Sequence, residues 1–264
     1  MKQTLINKFL DWLKLPEAKE IQNLDDPSTV FIHAKIIKRN RFLKNLYIDF
    51  YEQLKGPLKD LPVTATIVEL GSGGGFIKEV LPQVMTTDIV NSSPVDMHFS
   101  GQDMPFGDKT VDAFVMLNVL HHIPDPKQFF SEINRCLKEG GKFVMIEPAN
   151  TIWGRFVYRN FHHEPFDVKA GWKLEGSGPL TDANGALPWM IFIRDRKIFE
   201  GTFPKLKIKN IDHHTAFCYL LSGGVSYRPL VPAGMYHFFK FLGRVLRPLR
   251  RWVGMFYTIE LQKA

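Results

Sequence analysis

A chain of 264 residues with 45% hydrophobic and 13% aromatic residues has enough apolar material for one large domain, or a domain with a lid. Its two cysteines, Cys136 and Cys218, exclude a disulfide framework and a cysteine-rich metal site, so a reducing compartment is the simpler expectation. The formal net charge of +7 is uneven: from His213 onward seven cations (Arg228, Lys240, Arg244, Arg247, Arg250, Arg251 and Lys263) face the single acid Glu260, which leaves +6 in that segment.

The opening Met1-Lys-Gln-Thr-Leu-Ile-Asn-Lys8 lacks the apolar core of a secretory signal, since Lys8, Asp11 and Lys14 break it up. No apolar run is long enough to cross a bilayer, so a cytoplasmic location is expected. Residues 1–62 read as an N-terminal helical cap. Leu5, Phe9, Trp12 and Leu13 share a face, and a second helix is expected to start after Asp26-Pro27-Ser28 and run to about Leu54.

Residues 63–150 carry the strongest signal. Ile67-Val-Glu-Leu-Gly-Ser-Gly-Gly-Gly-Phe76 reads as a strand, a glycine-rich turn and a helix start, with Glu69 two positions ahead of Gly71 and with Gly73 and Gly75 at alternate positions. Glycine permits positive φ and close ligand approach, and such a turn after a parallel strand is where open α/β sheets hold nucleotide-like cofactors. No Lys-Ser or Lys-Thr closes it as in a phosphate-binding loop, and Phe76 stands where a dinucleotide fingerprint needs a small residue. Glu69 would repel phosphate but suits a cationic ligand, which favours S-adenosylmethionine with its sulfonium and ammonium groups.

Val84-Met-Thr-Thr-Asp88 brings a second acid after a short interval, so the helix between is expected to be brief. Gly-Gln-Asp103-Met104 follows, and then Val111–Asn118, an apolar run of buried-strand length leading into His121 and His122. Asp125-Pro126 is a helix start, Phe129, Ile133 and Leu137 recur at a spacing of four, and Gly140-Gly141 is expected to stop the helix. Lys142–Glu147 is the next strand, ending at Pro148.

In this order the motifs of about residues 65–150 resemble those of class I S-adenosylmethionine-dependent methyltransferases, within them the small-molecule type 11 domain group. The resemblance implies an α/β fold: a Rossmann-like, seven-stranded, mostly parallel sheet with helices on both faces. It implies a donor site of Glu69, Gly71, Ser72, Gly73, Gly75 and Asn118, with Asp88 on the ribose hydroxyls, Asp103 near the adenine amino group and Met104 beside the ring. It also implies that helices ahead of the first strand close over the cofactor, and that two final strands form an antiparallel pair.

Residues 151–264 are the acceptor region. Phe203–Asp212 and Phe256–Gln262 alternate well enough to be those last strands, which makes residues 213–255 an enlarged insertion. Around residues 236–256, Phe238, Phe239, Phe241, Leu242, Val245, Leu246, Leu249, Trp252 and Val253 interleave with the arginines, and Pro248 is expected to split the segment into two helical pieces. Such a segment suits an anionic membrane surface at the inner face of a membrane. RNA phosphates are the competing partner, disfavoured by the aliphatic content, and internal packing or dimerisation is the third reading.

Three histidine pairs are candidates for chemistry. His162 and His163, beside Glu164, lie where an acceptor pocket is usually built, and His122 follows strand four; these are the candidate bases. His213 and His214 could join them. No metal is expected, because adjacent histidines should point in different directions. Asn118-Val-Leu-His121 lacks the Asn/Asp-Pro-Pro-Tyr/Phe arrangement of enzymes that methylate planar nitrogens. His162–Asp167, Ile193–Arg196 with Phe199-Glu200, and Leu220–Gly224 are similar to bacterial methyltransferases of cell-surface polysaccharide and lipid assembly, which implies a sugar or lipid-linked acceptor with an oxygen nucleophile. The expected function is therefore methylation of a small-molecule, sugar or lipid-linked acceptor. An RNA methyltransferase and a non-catalytic donor-fold binding protein are the alternatives.

Overall fold

Seven strands form one sheet in the computed structural model, which describes residues 11–91, 94–162, 164–176, 178 and 180–264. They are β1 (Ile67–Leu70), β2 (Met85–Asp88), β3 (Met97–His98), β4 (Val111–Leu117), β5 (Leu137–Pro148), β6 (Leu206–His214) and β7 (Phe256–Lys263). Their spatial order is β3-β2-β1-β4-β5-β7-β6. The first five run parallel, and β7 lies antiparallel between β5 and β6. The winding direction reverses between β1 and β4, which leaves a crevice beyond the carboxyl ends of those strands.

Successive strand residues face opposite sides of a sheet, so the two faces collect different layers. Ile67, Ala113, Val115, Val144 and Ile146 share one buried cluster with Phe42, Leu43, Leu46, Phe50 and Leu54. Val68, Leu70, Phe114, Met116, Phe143 and Met145 share the other with Phe129, Phe130 and Ile133. Among the described residues the α-helices of four residues or more are α1 (Pro16–Glu20), α2 (Ser28–Arg39), α3 (Arg41–Lys55), α4 (Pro126–Cys136), α5 (Ile152–Phe161), α6 (Arg196–Thr202), α7 (Cys218–Ser222), α8 (Tyr236–Val245) and α9 (Arg250–Val253). Among the described residues no helix is long and apolar enough to cross a membrane.

Several local expectations are corrected. The single helix expected from Ser28 to Leu54 is two, because Asn40 is extended and its side chain accepts the Leu43 N–H at 3.1 Å, which starts a new helix. Trp12 is 64% exposed while Leu13 is buried, so they do not share a face; Leu5 and Phe9 lie outside the described residues. Asp125 caps α4 as expected, accepting the Lys127 and Gln128 N–H groups. The helix nevertheless stops at Cys136, since buried Leu137 pairs with Val111 and already belongs to β5. Gly140, at φ 78°, then lies inside that strand. β6 begins at Leu206 and runs on through His214. Only a 3-10 turn, Ile77–Glu79, separates β1 from β2, as the short interval requires. Pro248 sits in the turn between α8 and α9, and both cysteines are buried in the core as free thiols.

Candidate active site

The glycine loop leaves β1 at the crevice. Gly71 and Gly73 have φ of 68° and 50°, the left-handed region that glycine enters without strain. A Cβ on Gly71 would lie 2.6 Å from the Val119 side chain, one on Gly74 would lie 2.5 Å from the Ala34 nitrogen, and one on Gly75 would lie 2.5 Å from the Tyr51 hydroxyl. Nothing lies within 4 Å of the equivalent position on Gly73. Three of these glycines therefore let α2, α3 and the β4 exit pack against the loop, and one keeps a face open. Phe76 helps to anchor the loop: its N–H donates to the Tyr51 hydroxyl at 3.1 Å, and its ring packs edge-on against Tyr51.

Glu69 is 2% exposed and accepts from the Ser72 hydroxyl. Burial pushes its pKa up to about 7, opposed by the Ser72 bond and reinforced by nearby Asp88. Asp88 ends β2 and accepts the Gly73 N–H at 2.7 Å and the Val90 N–H at 3.0 Å. Asn118 has φ of 57°, and its buried Oδ1 finds no hydrogen-bond partner among the described residues. Glu69, Gly71, Ser72, Gly73, Gly75, Asp88 and Asn118 all line one cavity of about 420 Å³. Asp103 and Met104 do not line it. Asp103 is exposed, and Met104 is buried beside α4, where its N–H donates to Glu132 at 2.9 Å.

Across the cavity from the loop the chain gathers a polar cluster. His121 and His122 sit in a 3-10 turn after β4, with ring centroids 4.3 Å apart. They do not diverge as expected, because the turn advances about 120° per residue and side-chain rotation brings both rings to one acid. His121 Nε2 lies 3.3 Å from one Glu164 oxygen and His122 Nε2 lies 3.6 Å from the other. His162 Nδ1 is 3.6 Å from Glu164, and its Nε2 is 3.3 Å from the Tyr219 hydroxyl. His163 lies outside the described residues.

Behind this group stands Glu147, fully buried at the end of β5. It accepts the Val119 and Leu120 N–H groups at 2.9 and 2.7 Å and His121 Nδ1–H at 2.7 Å. Burial alone would lower the His121 pKa, but Glu147 and Glu164 reverse this and push it up to about 10. Burial opposes ionisation of Glu164 too, yet His121, His162 and His122 hold it well below the usual carboxylate range. Sequence reasoning passed over Glu147 as a strand end and treated Glu164 only as a neighbour of histidines. The available signal was an acid at the carboxyl end of a buried strand.

His213 and His214 are elsewhere. With Asp212 they line a separate cavity of about 390 Å³ between α3, β6 and the α8–α9 segment. His214 is held at a pKa of about 3 by burial, with His213 adding to the effect.

The N-terminal segment roofs the main cavity. The Leu13 carbonyl accepts the Arg228 N–H and the Leu15 N–H donates to Ser226, both at 2.9 Å. Asp25 accepts the Leu180 N–H at 2.7 Å and the Thr181 N–H at 3.0 Å. Leu13, Leu24, Val30 and Ile37 thus join Val157, Phe161, Leu220 and Phe256 in a largely apolar lining.

Residues 68–145, which include the glycine loop and Asp88, match the family model of a methyltransferase domain. With the sheet order, this match makes the segment a class I S-adenosylmethionine-dependent methyltransferase domain. An uncharacterized methyltransferase of Mycobacterium leprae is 31% identical over 108 residues, which cover 35% of this chain and 39% of that protein. This chain therefore spans well under half the length of that relative. In overall fold it is similar to a Thermotoga maritima methyltransferase described as a possible histamine N-methyltransferase, with a TM-score of 0.50 and 15% identity, over 87% of this chain and 99% of the other. It is similar to the same degree, 0.50 and 16% over 88% and 89% of the two chains, to a geranyl diphosphate methyltransferase solved with S-adenosylmethionine.

Proposed function

We propose that the protein transfers a methyl group from S-adenosylmethionine to a hydroxyl of an apolar, lipid-like acceptor at a membrane surface. The observation that carries this reading is one cavity joining the glycine loop to the His–Glu cluster through an apolar chamber. Its volume is within the range of small-molecule sites. At the donor end, Gly73 leaves its side open, and Glu69 and the unpartnered Asn118 Oδ1 offer acceptors to a cationic ligand. Asp88 offers a carboxylate to ribose hydroxyls. Bound S-adenosylmethionine supplies a methyl group on a sulfonium, so the protein's own task is in-line positioning and removal of the acceptor proton. At the other end the polar atoms belong to imidazoles and carboxylates, and because Glu164 is held well below the usual carboxylate range it is the weaker proton acceptor. His162, between Glu164 and Tyr219, takes the hydroxyl proton in this scheme.

Calorimetry with S-adenosylmethionine tests the donor half. A cationic donor favours ionised Glu69, whose pKa in the free protein is about 7. Below pH 7 binding must therefore expel a proton, and affinity must rise as pH increases from about 5 to 7. Titrations at pH 6 in buffers of different ionisation heat should show proton release that disappears at pH 8.5. No binding at either pH would remove the enzyme reading.

The membrane half rests on the C-terminal segment. Phe238, Phe241 and Trp252 are 58%, 61% and 55% exposed, Val245 and Leu249 are exposed too, and exposed Arg244, Arg247 and Arg251 lie among them. Lys240 and Arg250 instead turn inward to Asp49 and Asp212, so only part of the basic charge faces outward. Aromatic and aliphatic side chains with interspersed arginines match an interfacial helix on anionic lipid. Co-sedimentation with phosphatidylglycerol vesicles should fall at least about tenfold in Phe241→Ser/Trp252→Ser. Salt-sensitive RNA binding without vesicle binding would reverse the assignment in favour of nucleic acid.

A further inference from the structure

We propose that His121, His122 and Glu164 form a binding site for one divalent transition-metal ion in the wall of the main cavity. The argument starts from the hydrogen bonds behind the two rings. His121 Nδ1 faces the Glu147 carboxylate at 2.7 Å, and His122 Nδ1 faces the Asp182 carbonyl at 3.2 Å. Both partners are acceptors, so both Nδ1 atoms donate, and each neutral ring presents an Nε2 lone pair. Those lone pairs are turned to the two oxygens of one carboxylate, at 3.3 and 3.6 Å.

Two imidazole nitrogens and a carboxylate converging on the cavity wall make a donor set for a cation. The spacing suits a metal cation. Ligands bound at about 2.1 Å around a tetrahedral or octahedral ion stand about 3.0–3.4 Å apart, and one donor atom from each of the three residues falls within 4.8 Å of the others.

Two histidines and one carboxylate with remaining positions open is a ligand set used for zinc and non-haem iron. The buried acid on the far nitrogen of His121 is the outer partner that orients a ligating imidazole. All three residues line the cavity, so the open positions face its interior. A cation there would acidify an acceptor hydroxyl beside it. That consequence rests on the methyl-transfer reading, whereas metal binding does not.

The test uses the full chain, stripped with a chelator and titrated with Zn²⁺ alone, with Mg²⁺ as the hard-cation control. The expected result is one Zn²⁺ per chain, little response to Mg²⁺, and a d–d absorption spectrum of a nitrogen/oxygen site when Co²⁺ is used. Glu164→Gln and His122→Ala should each weaken Zn²⁺ at least about 100-fold, and Glu147→Gln should weaken it by 10–100-fold through His121. Thermal melts of the metal-free variants establish that they are folded. Should a variant not fold, the wild-type Co²⁺ spectrum and proton exchange at the histidine rings decide alone. Absence of Zn²⁺ binding to the wild type, or equal affinity in folded Glu164→Gln, overturns the proposal. Donor titration on the same samples reports separately on the methyltransferase reading, so the two can fail independently.

Discussion

Glu147→Ala is expected to lower folding stability by about 3–5 kcal/mol, the range for removing one partner of a buried charge pair. The carboxylate is fully buried and serves three donors: the Val119 N–H, the Leu120 N–H and His121 Nδ1–H. Alanine would leave two backbone donors and a ring donor without the acceptor that now serves them. Each stranded donor costs about 1–3 kcal/mol, more where a charge is involved. Glu147→Gln keeps one oxygen for the two backbone groups and should cost less, about 1–3 kcal/mol. Urea unfolding of both variants checks the ordering. A Glu147→Ala protein within 1 kcal/mol of wild type would mean that the turn after β4 is held by other contacts.

The second large effect is expected at the donor end. Asp88→Ala should weaken S-adenosylmethionine binding by about 10–150-fold, since a hydrogen bond to a charged group contributes about 1.5–3 kcal/mol. The loss has two sources. The carboxylate offered to the ligand disappears, and the Gly73 N–H, now held at 2.7 Å, is released in the loop that must lie against the donor. Glu69→Gln keeps the shape and removes the charge, so it should weaken donor binding and abolish the proton release seen below pH 7. Undiminished affinity in both variants would place the donor elsewhere in the molecule.

The glycine loop and the acids beside it were readable from residue spacing, whereas Asp103 and Met104, expected in the same site, do not line the cavity. Gly71, Gly73 and Gly75 mark a loop whose backbone must turn sharply, and Glu69 and Asp88 stand at the ends of neighbouring parallel strands. Chain distance reports such features well because each lies within a few residues of the strand that positions it. The same holds for the brief turn before β2, the Asp125 cap and the break at Pro248. Legibility failed where a distant contact outweighed a local signal. Leu137 left its helix to pair with Val111, and Asn40 split one expected helix by capping another.

Local pattern therefore determined the sheet, its glycine loop and the amphipathic character of the C-terminal segment, since periodicity and glycine placement act over a few residues. It did not determine that Gly74 and Gly75 allow packing against α2 and α3, or that Lys240 and Arg250 pair with Asp49 and Asp212 while Arg244, Arg247 and Arg251 stay exposed. Nor could it join His121, His122, Glu147 and Glu164. Those residues come from a turn after β4, the end of β5 and a loop after α5, and adjacent β4 and β5 bring them within hydrogen-bonding distance. Tertiary packing alone decides which side chains share a buried space, and that shared space is what sets their charge, their tautomers and their capacity to hold a cation.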